Sequence, residues 1–182
     1  MSGVLGGLIA AFPTPFTGAY ESIATFTGNG TATNYTFTSI PSTYKSLQLR
    51  INVLGSDGDS IQIQFNSDTA ANYVYHFLAG TGSAAVASAA TALSWIPISD
   101  ASYQGINPTY PTAIITDIID YASGSKNKVT RSFAGIDKNG SGVVDLMSGL
   151  WISTSAITSI KVFGFNNLNT GTTISLYGIK GA

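Results

Sequence analysis

Residues 45–65 read KSLQLRINVLGSDGDSIQIQF. Leu47, Leu49, Ile51 and Val53 alternate with Gln48, Arg50 and Asn52, a period of two over a full strand length. GSDGD at 55–59 is a turn signal of hydrated residues, and Ile61, Ile63 and Phe65 then alternate with Gln62 and Gln64. The stretch predicts a β-hairpin with one apolar face. It also nominates core positions: Leu49, Ile51, Ile63 and Phe65, joined by Trp151, Val162 and Leu176 from later runs.

The same pattern recurs along the chain. SIATFT at 22–27 alternates and meets GNG; Tyr35 and Phe37 lie two apart before Pro41. NYVYHFL at 72–78 puts Tyr73, Tyr75 and Phe77 on one face and Val74, His76 and Leu78 on the other. TAIITDIIDY at 112–121 and KNKVTRSFA at 126–134 flank a Ser123-Gly124 turn and predict a second hairpin. DKNGSG at 137–142 turns into VVDLMSGLW, and TSIKVFGF at 158–165 and TTISLYGI at 172–179 close the series. Residues 80–94, GTGSAAVASAATALS, are rich in Ala and carry no charge, so they read as a long loop with room for a short helix. About ten strands at this turn spacing predict an all-β, antiparallel, jelly-roll-like sandwich. No strand–helix alternation supports a doubly wound fold.

Composition narrows the function. The 182 residues include 22 Ser and 21 Thr, but only 9% are charged and the net charge is −1. Eight scattered Lys and Arg give no electrostatic footprint for nucleic acid. Near-zero charge on an apolar-rich chain suits a subunit covered by neighbours better than a lone monomer. There is no cysteine and one histidine, which removes disulfides, thiolate nucleophiles and multi-histidine metal sites.

A boundary falls near Tyr20, dividing an N-terminal arm over 1–20 from a sandwich over 21–182. The arm opens MSGVLGGLIAAFPTPF. It is shorter than the roughly 20 apolar residues a membrane span needs, and no Lys or Arg precedes it as in a secretory signal. Val4, Leu5, Leu8, Ile9, Phe12 and Phe16 are wasted in water, so the arm is expected to dock on another protein.

Sites for chemistry are sparse. Asp137, Asn139, Ser141 and Gly142 match the start of a calcium loop, but its twelfth position is Ser148, and an Asn-Gly hairpin turn explains the same residues. His76, between aromatics on a strand and without a G-x-S-x-G nucleophile turn in the chain, reads as structural. Lys126, Lys128 and Arg131 face Asp117 and Asp120 across a turn, which predicts cross-strand pairing. The residues therefore predict no catalytic site, no metal site and no cofactor. The polar aromatic loop with Tyr103, Gln104, Asn107 and Tyr110 is the best candidate binding surface, since Tyr and Asn adapt to sugars and protein epitopes.

The phrases YESIATFTGNGTATNYTFTSIPSTYKSLQLRI, SKNKVTRSFAG, SGLWISTSAITSIKVF and NTGTTISLYGIKG resemble a family of bacteriophage virion proteins of the structural or tail-fibre-like kind, common among phages of aquatic bacteria. The resemblance runs from about Tyr20 to the C-terminus, and the opening MSGVLGGLIAAF resembles a leader that such phages place before unrelated β domains. It implies a jelly-roll-like sandwich on the virion surface, on head or tail, with other virion proteins as partners and a homotrimer as the assembly. It carries no functional residues across. The expected function is a fibre or tail adhesin or a capsid decoration subunit, not an enzyme. The second expectation is a carbohydrate-binding module for a host surface glycan.

Overall fold

The alternating runs become strands in the computed structural model, which describes residues 18–99 and 106–181. Twelve strands form, two more than the turn spacing predicts: β1 (Tyr20–Thr27), β2 (Asn34–Phe37), β3 (Ser46–Val53), β4 (Gln62–Phe65), β5 (Tyr73–Gly80), β6 (Ala85–Leu93), β7 (Ile96–Pro97), β8 (Thr112–Ile119), β9 (Lys128–Asp137), β10 (Gly142–Trp151), β11 (Ile160–Phe163) and β12 (Thr173–Ile179). All pairings are antiparallel. They make an eight-stranded sheet in the order β1-β12-β3-β8-β9-β10-β5-β6 and a four-stranded sheet in the order β2-β11-β4-β7.

The order has a simple origin. Four pairs nest from the outside of the chain inward: β1 with β12, β2 with β11, β3 with β8 and β4 with β7. They form one long double ribbon whose successive pairs fall alternately on the two sheets, which is the jelly-roll wrap. Two further hairpins, β5–β6 and β9–β10, are inserted into that ribbon. Both join the large sheet beyond β8 and make it twice as wide as its partner.

This wrap corrects the hairpin expected over residues 45–65. β3 and β4 form as strands but lie in different sheets, because the ribbon must cross between layers there. The crossing turn is not merely hydrated. Asp57 is exposed, whereas Asp59 is buried and fastens the turn to the loop after β11. Its carboxylate accepts the backbone N–H groups of Ser60 at 2.7 Å, Phe165 at 3.1 Å and Asn166 at 2.9 Å.

The loop expected over 80–94 is also corrected. Most of it is β6, paired with β5 from Gly80↔Ala85 to Tyr73↔Leu93. Alanine's helix preference is worth under about 1 kcal/mol per residue, less than a ladder of hydrogen bonds on a ready sheet edge. β6 ends the sheet with no charged side chain along its length. The opposite edge, β1, is blunted by a bulge between Ser22 and Ala24 and by the Glu21–Lys180 pair at 2.7 Å.

The core fills the space between the sheets. All seven nominated residues are buried, alongside Leu47, Val53, Ile96, Ile114, Ile118 and Ile160. Phe65, Tyr73 and Trp151 cluster at one end, with Tyr73 and Trp151 stacked at 6.2 Å. The polar atoms of this cluster are satisfied. The Tyr73 hydroxyl accepts the Phe65 N–H at 3.1 Å and donates to the Asp68 carbonyl at 3.1 Å, while the Trp151 Nε1–H donates to the Asp68 carboxylate at 2.8 Å. Gln62 and Gln64 are buried too, contrary to the alternation. β4 has a strand on each side, and Trp95 follows directly on the Ser94 carbonyl that accepts from Gln64 at 3.0 Å.

Lys128 departs furthest from its sequence reading. Expected in a surface charge cluster, it points inward and is 0% exposed. Its Nζ donates to the carbonyls of Ser123 at 2.8 Å and Thr154 at 3.1 Å and to that of Lys126, with Ser153 at 3.5 Å. The ammonium thus ties the β8–β9 turn to the segment after β10. The neighbouring charges do pair across the hairpin as predicted: Lys126 with Asp120 at 3.2 Å and Arg131 with Asp117 at 2.8 Å.

Candidate functional site

The outward face of the large sheet is divided in two. Over β1, β12 and β3 it is polar and cross-linked. The Arg50 guanidinium lies over the rings of Tyr20 and Tyr177, at 4.7 Å and 5.0 Å. Its Nε donates to Gln48 at 2.8 Å, and Gln48 donates to Asp117 at 2.8 Å. Over β8, β9, β10 and β5 the same face turns apolar. Register aligns Ile115, Phe133, Leu146 and Leu78 in one row across four neighbouring strands, with Ala87 of β6 next in line. Val144 stands beside this row, and Ile119 and Val129 lie on the far side of a polar stripe made by Asp117, Arg131, Ser148 and His76.

Phe133 is 56% exposed, and the other six large apolar residues of this face lie between 40% and 52%. A large side chain offers roughly 150–250 Å² when free, so seven at about half exposure leave on the order of 500–900 Å² of apolar surface, of which the five on one side of the stripe hold roughly 400–600 Å². The largest patch on a typical monomer is about 300–600 Å². The contiguous five therefore lie in the upper part of that range.

The face is not smooth. Ser148 is a short side chain between Arg131 of β9 and His76 of β5. The dip it leaves is a hollow of about 310 Å³ walled by His76, Leu78, Arg131 and Leu146. A second hollow of about 270 Å³ lies on the other side of His76, against Val74, Val129 and Leu150. The Asp117 carboxyl, paired with Arg131 on the same stripe, is held below the usual carboxylate range. Burial raises it, but hydrogen bonds from Gln48 and Arg131 and the Arg131 charge outweigh that.

A separate aromatic group lies by the small sheet. Trp95 makes edge contacts with Phe163 at 6.3 Å and Phe165 at 6.2 Å, and the Lys161 ammonium sits 4.9 Å from the Phe163 ring centre. Trp95 and Phe165 also help wall a cleft of about 230 Å³ with Tyr75, Phe77 and Gln62, where β7 meets the large sheet. That volume holds one small ring and excludes a drug-sized ligand.

The predicted docking residues Val4, Leu5, Leu8, Ile9, Phe12 and Phe16, and Tyr103 and Gln104 of the predicted binding loop, lie outside the described residues. Asn107 is described and is committed to the loop's own structure. Its amide donates to Asp57 at 2.9 Å, and its oxygen accepts the N–H groups of Thr109 at 2.8 Å and Tyr110 at 3.0 Å. Tyr110 is exposed. DKNGSG closes the β9–β10 hairpin, with Asn139 and Gly140 at positive φ and the Lys138 N–H on the Ser141 carbonyl at 2.7 Å. The Asp137 carboxylate accepts the Asn139 N–H at 2.8 Å, so the turn reading accounts for these residues. His76 faces outward, opposite Ser148 and Ala89.

The apolar face was the feature the sequence reading missed. Its signal was present: TAIITDII carries isoleucine at both parities, and VVDL pairs Val143 inward with Val144 outward. An apolar run on both parities marks a strand with two apolar faces. No helix among the described residues is long and apolar enough to cross a membrane. The chain matches no family model, no curated protein and no solved structure.

Proposed function

We propose that the chain is a structural subunit of a bacteriophage virion, exposed on the particle and attached by its N-terminal arm. It acts as a fibre- or tail-associated adhesin or as a capsid decoration subunit. The observation that carries this reading is the apolar half of the large sheet's outer face. Leaving that much apolar surface in water is costly, and covering it is what assembly into a larger body does. The jelly-roll wrap, the near-zero net charge and the resemblance in strand and turn phrases point the same way. The reading needs no catalysis.

The test is incorporation. Deleting residues 1–16 should leave the circular dichroism of the sandwich unchanged and abolish recovery on purified particles. Full occupancy without the arm would refute arm-mediated attachment.

A second reading, a module for a host surface glycan, is favoured by the aromatic cleft. Ring faces with a neighbouring amide suit the C–H face and hydroxyls of a neutral sugar, and Trp95 is the residue to remove. Binding of the purified chain on a glycan array, lost in Trp95→Ala, would support it. An array with no binding would remove it.

A further inference from the structure

We infer that the apolar half of the large sheet's outer face is the contact through which one copy of this chain packs on another, Phe133 of each copy seated in the Ser148 hollow of its neighbour. This deepens the assembly reading by naming an occupant for the face, and it does not involve the N-terminal arm.

Three features select a second copy. The first is area. The apolar surface, together with the Asp117, Arg131, Ser148 and His76 stripe, approaches the roughly 800 Å² per partner of a standard interface. The second is shape. One face carries both a knob and a socket: Phe133 is its most exposed apolar side chain, and the hollow over Ser148 has room for one phenyl ring. Phe133 pairs with Leu146 and Arg131 with Ser148 on the adjacent strand, so knob and socket are diagonal neighbours on β9 and β10. A surface that holds both halves of its own contact is what association of identical subunits requires. The third is charge. The stripe across the face is internally neutralised by the Arg131–Asp117 pair at 2.8 Å, so two such faces meet without like charges opposed. A differently charged partner gains nothing from such a stripe.

The geometry also explains why polar residues are spent unevenly on one sheet face. The Arg50 network lies on β1, β12 and β3, belonging to the basic ribbon. The apolar half lies on β8 and the inserted strands β9, β10 and β5. The insertions widen the sheet and carry most of the contact face.

The test uses the full-length chain. Its mass is measured by light scattering at up to about 100 µM, a hundred-fold above a micromolar dissociation constant. The expected mass is two or three times the 18.9 kDa of one chain. Phe133→Glu removes the knob and Ser148→Trp fills the socket; each should return the mass of a single chain with an unchanged β-type circular dichroism spectrum. The natural chain has no cysteine. Copies with Phe133→Cys mixed with copies with Ser148→Cys should therefore form, on oxidation, a mixed disulfide in higher yield than either gives alone. A wild-type chain that stays single at every concentration overturns the inference, as does an assembly that survives both substitutions. Particle occupancy of the arm deletion tests attachment and solution mass tests this contact, so either can fail without the other.

Discussion

Replacing Lys128 by methionine isolates an arrangement that ordinary core substitutions do not reach. The side chain keeps nearly the same length and shape, and the ammonium disappears. Two effects oppose each other. Burial of the charge costs several kcal/mol, which methionine recovers. Against that, the carbonyls of Ser123, Lys126 and Thr154 lose a charged donor. Each buried carbonyl left unpaired costs about 1–3 kcal/mol. The turn at 120–127 is partly exposed, so one of the three regains water by a small shift. The other two cost about 2–6 kcal/mol together, comparable to the desolvation recovered, so a cage that holds the turn must show a net loss above about 0.5 kcal/mol. Urea unfolding followed by the fluorescence of Trp95 and Trp151 reads it directly. A second readout is pH. Burial holds the Lys128 ammonium below its ordinary range. The folded chain then releases this proton before the unfolded chain does, so the unfolded state binds more protons in the interval up to about 10.5. Wild-type stability rises with pH across that interval relative to Lys128→Met. A loss below about 0.5 kcal/mol, within the range of ordinary surface substitutions, would refute the reasoning: the carbonyl cage would then offset only its own desolvation and stabilise nothing.

Three other outcomes are expected. Ile63→Ala should cost about 2–5 kcal/mol in the same assay, because Ile63 is fully buried beside Val162 and Ile96; a change under half a kcal/mol would place that face in solvent. Burial pushes the Tyr73 phenol up to about 12, so its contribution is whole below pH 10 and is lost as pH rises from 10 toward 12. Tyr73→Phe should flatten this alkaline decline and cost about 1–3 kcal/mol at neutral pH, because the Phe65 N–H loses its acceptor; an unchanged alkaline limb would exclude Tyr73 as its source. Asp68 is held below the usual carboxylate range by hydrogen bonds from Asn72 and Trp151, so its contribution is present above about pH 4 and is lost as pH falls through its folded value. Asp68→Asn should make acid unfolding shallower, and an acid limb as steep as wild type would contradict that.

The strands were legible wherever one parity was apolar and the other polar. LQLRINV could face only one way, and every residue nominated from such runs is buried. Three readings failed for three different reasons. β6 is built mostly from alanine, serine and threonine, which mark no face, so its strand exists because β5 offers an edge. The GSDGD turn joins two strands that look like a hairpin, and nothing local records that the chain changes sheets there. Lys128 sits in a run of surface charges, and its inward turn depends on carbonyls of the turn just before it and of the distant segment at 153–154. The candidate interface was written in the second parity of β8 and β10, where isoleucine, valine and leucine replace the expected polar residues.

Because β1 and β12 are antiparallel neighbours, the sandwich's first strand begins where its last strand ends. Tyr20 pairs with Ile179, and the Lys180 N–H reaches the Ala19 carbonyl at 2.9 Å. Mechanically this gives the domain a preferred direction. Tension between these two ends peels the pair apart one rung at a time, so each hydrogen bond meets the whole force alone. Tension from Tyr20 against a grip on the opposite end of the sheet, such as the β9–β10 turn at 138–141, acts along β1 instead. It shears the whole β1–β12 ladder at once, so all its rungs share the force. A subunit held by the segment before Tyr20 and pulled from its far end is therefore stiff, whereas the same subunit stretched between its two ends yields easily. Single-molecule pulling along the two axes would show a high rupture force for the first and a low one for the second.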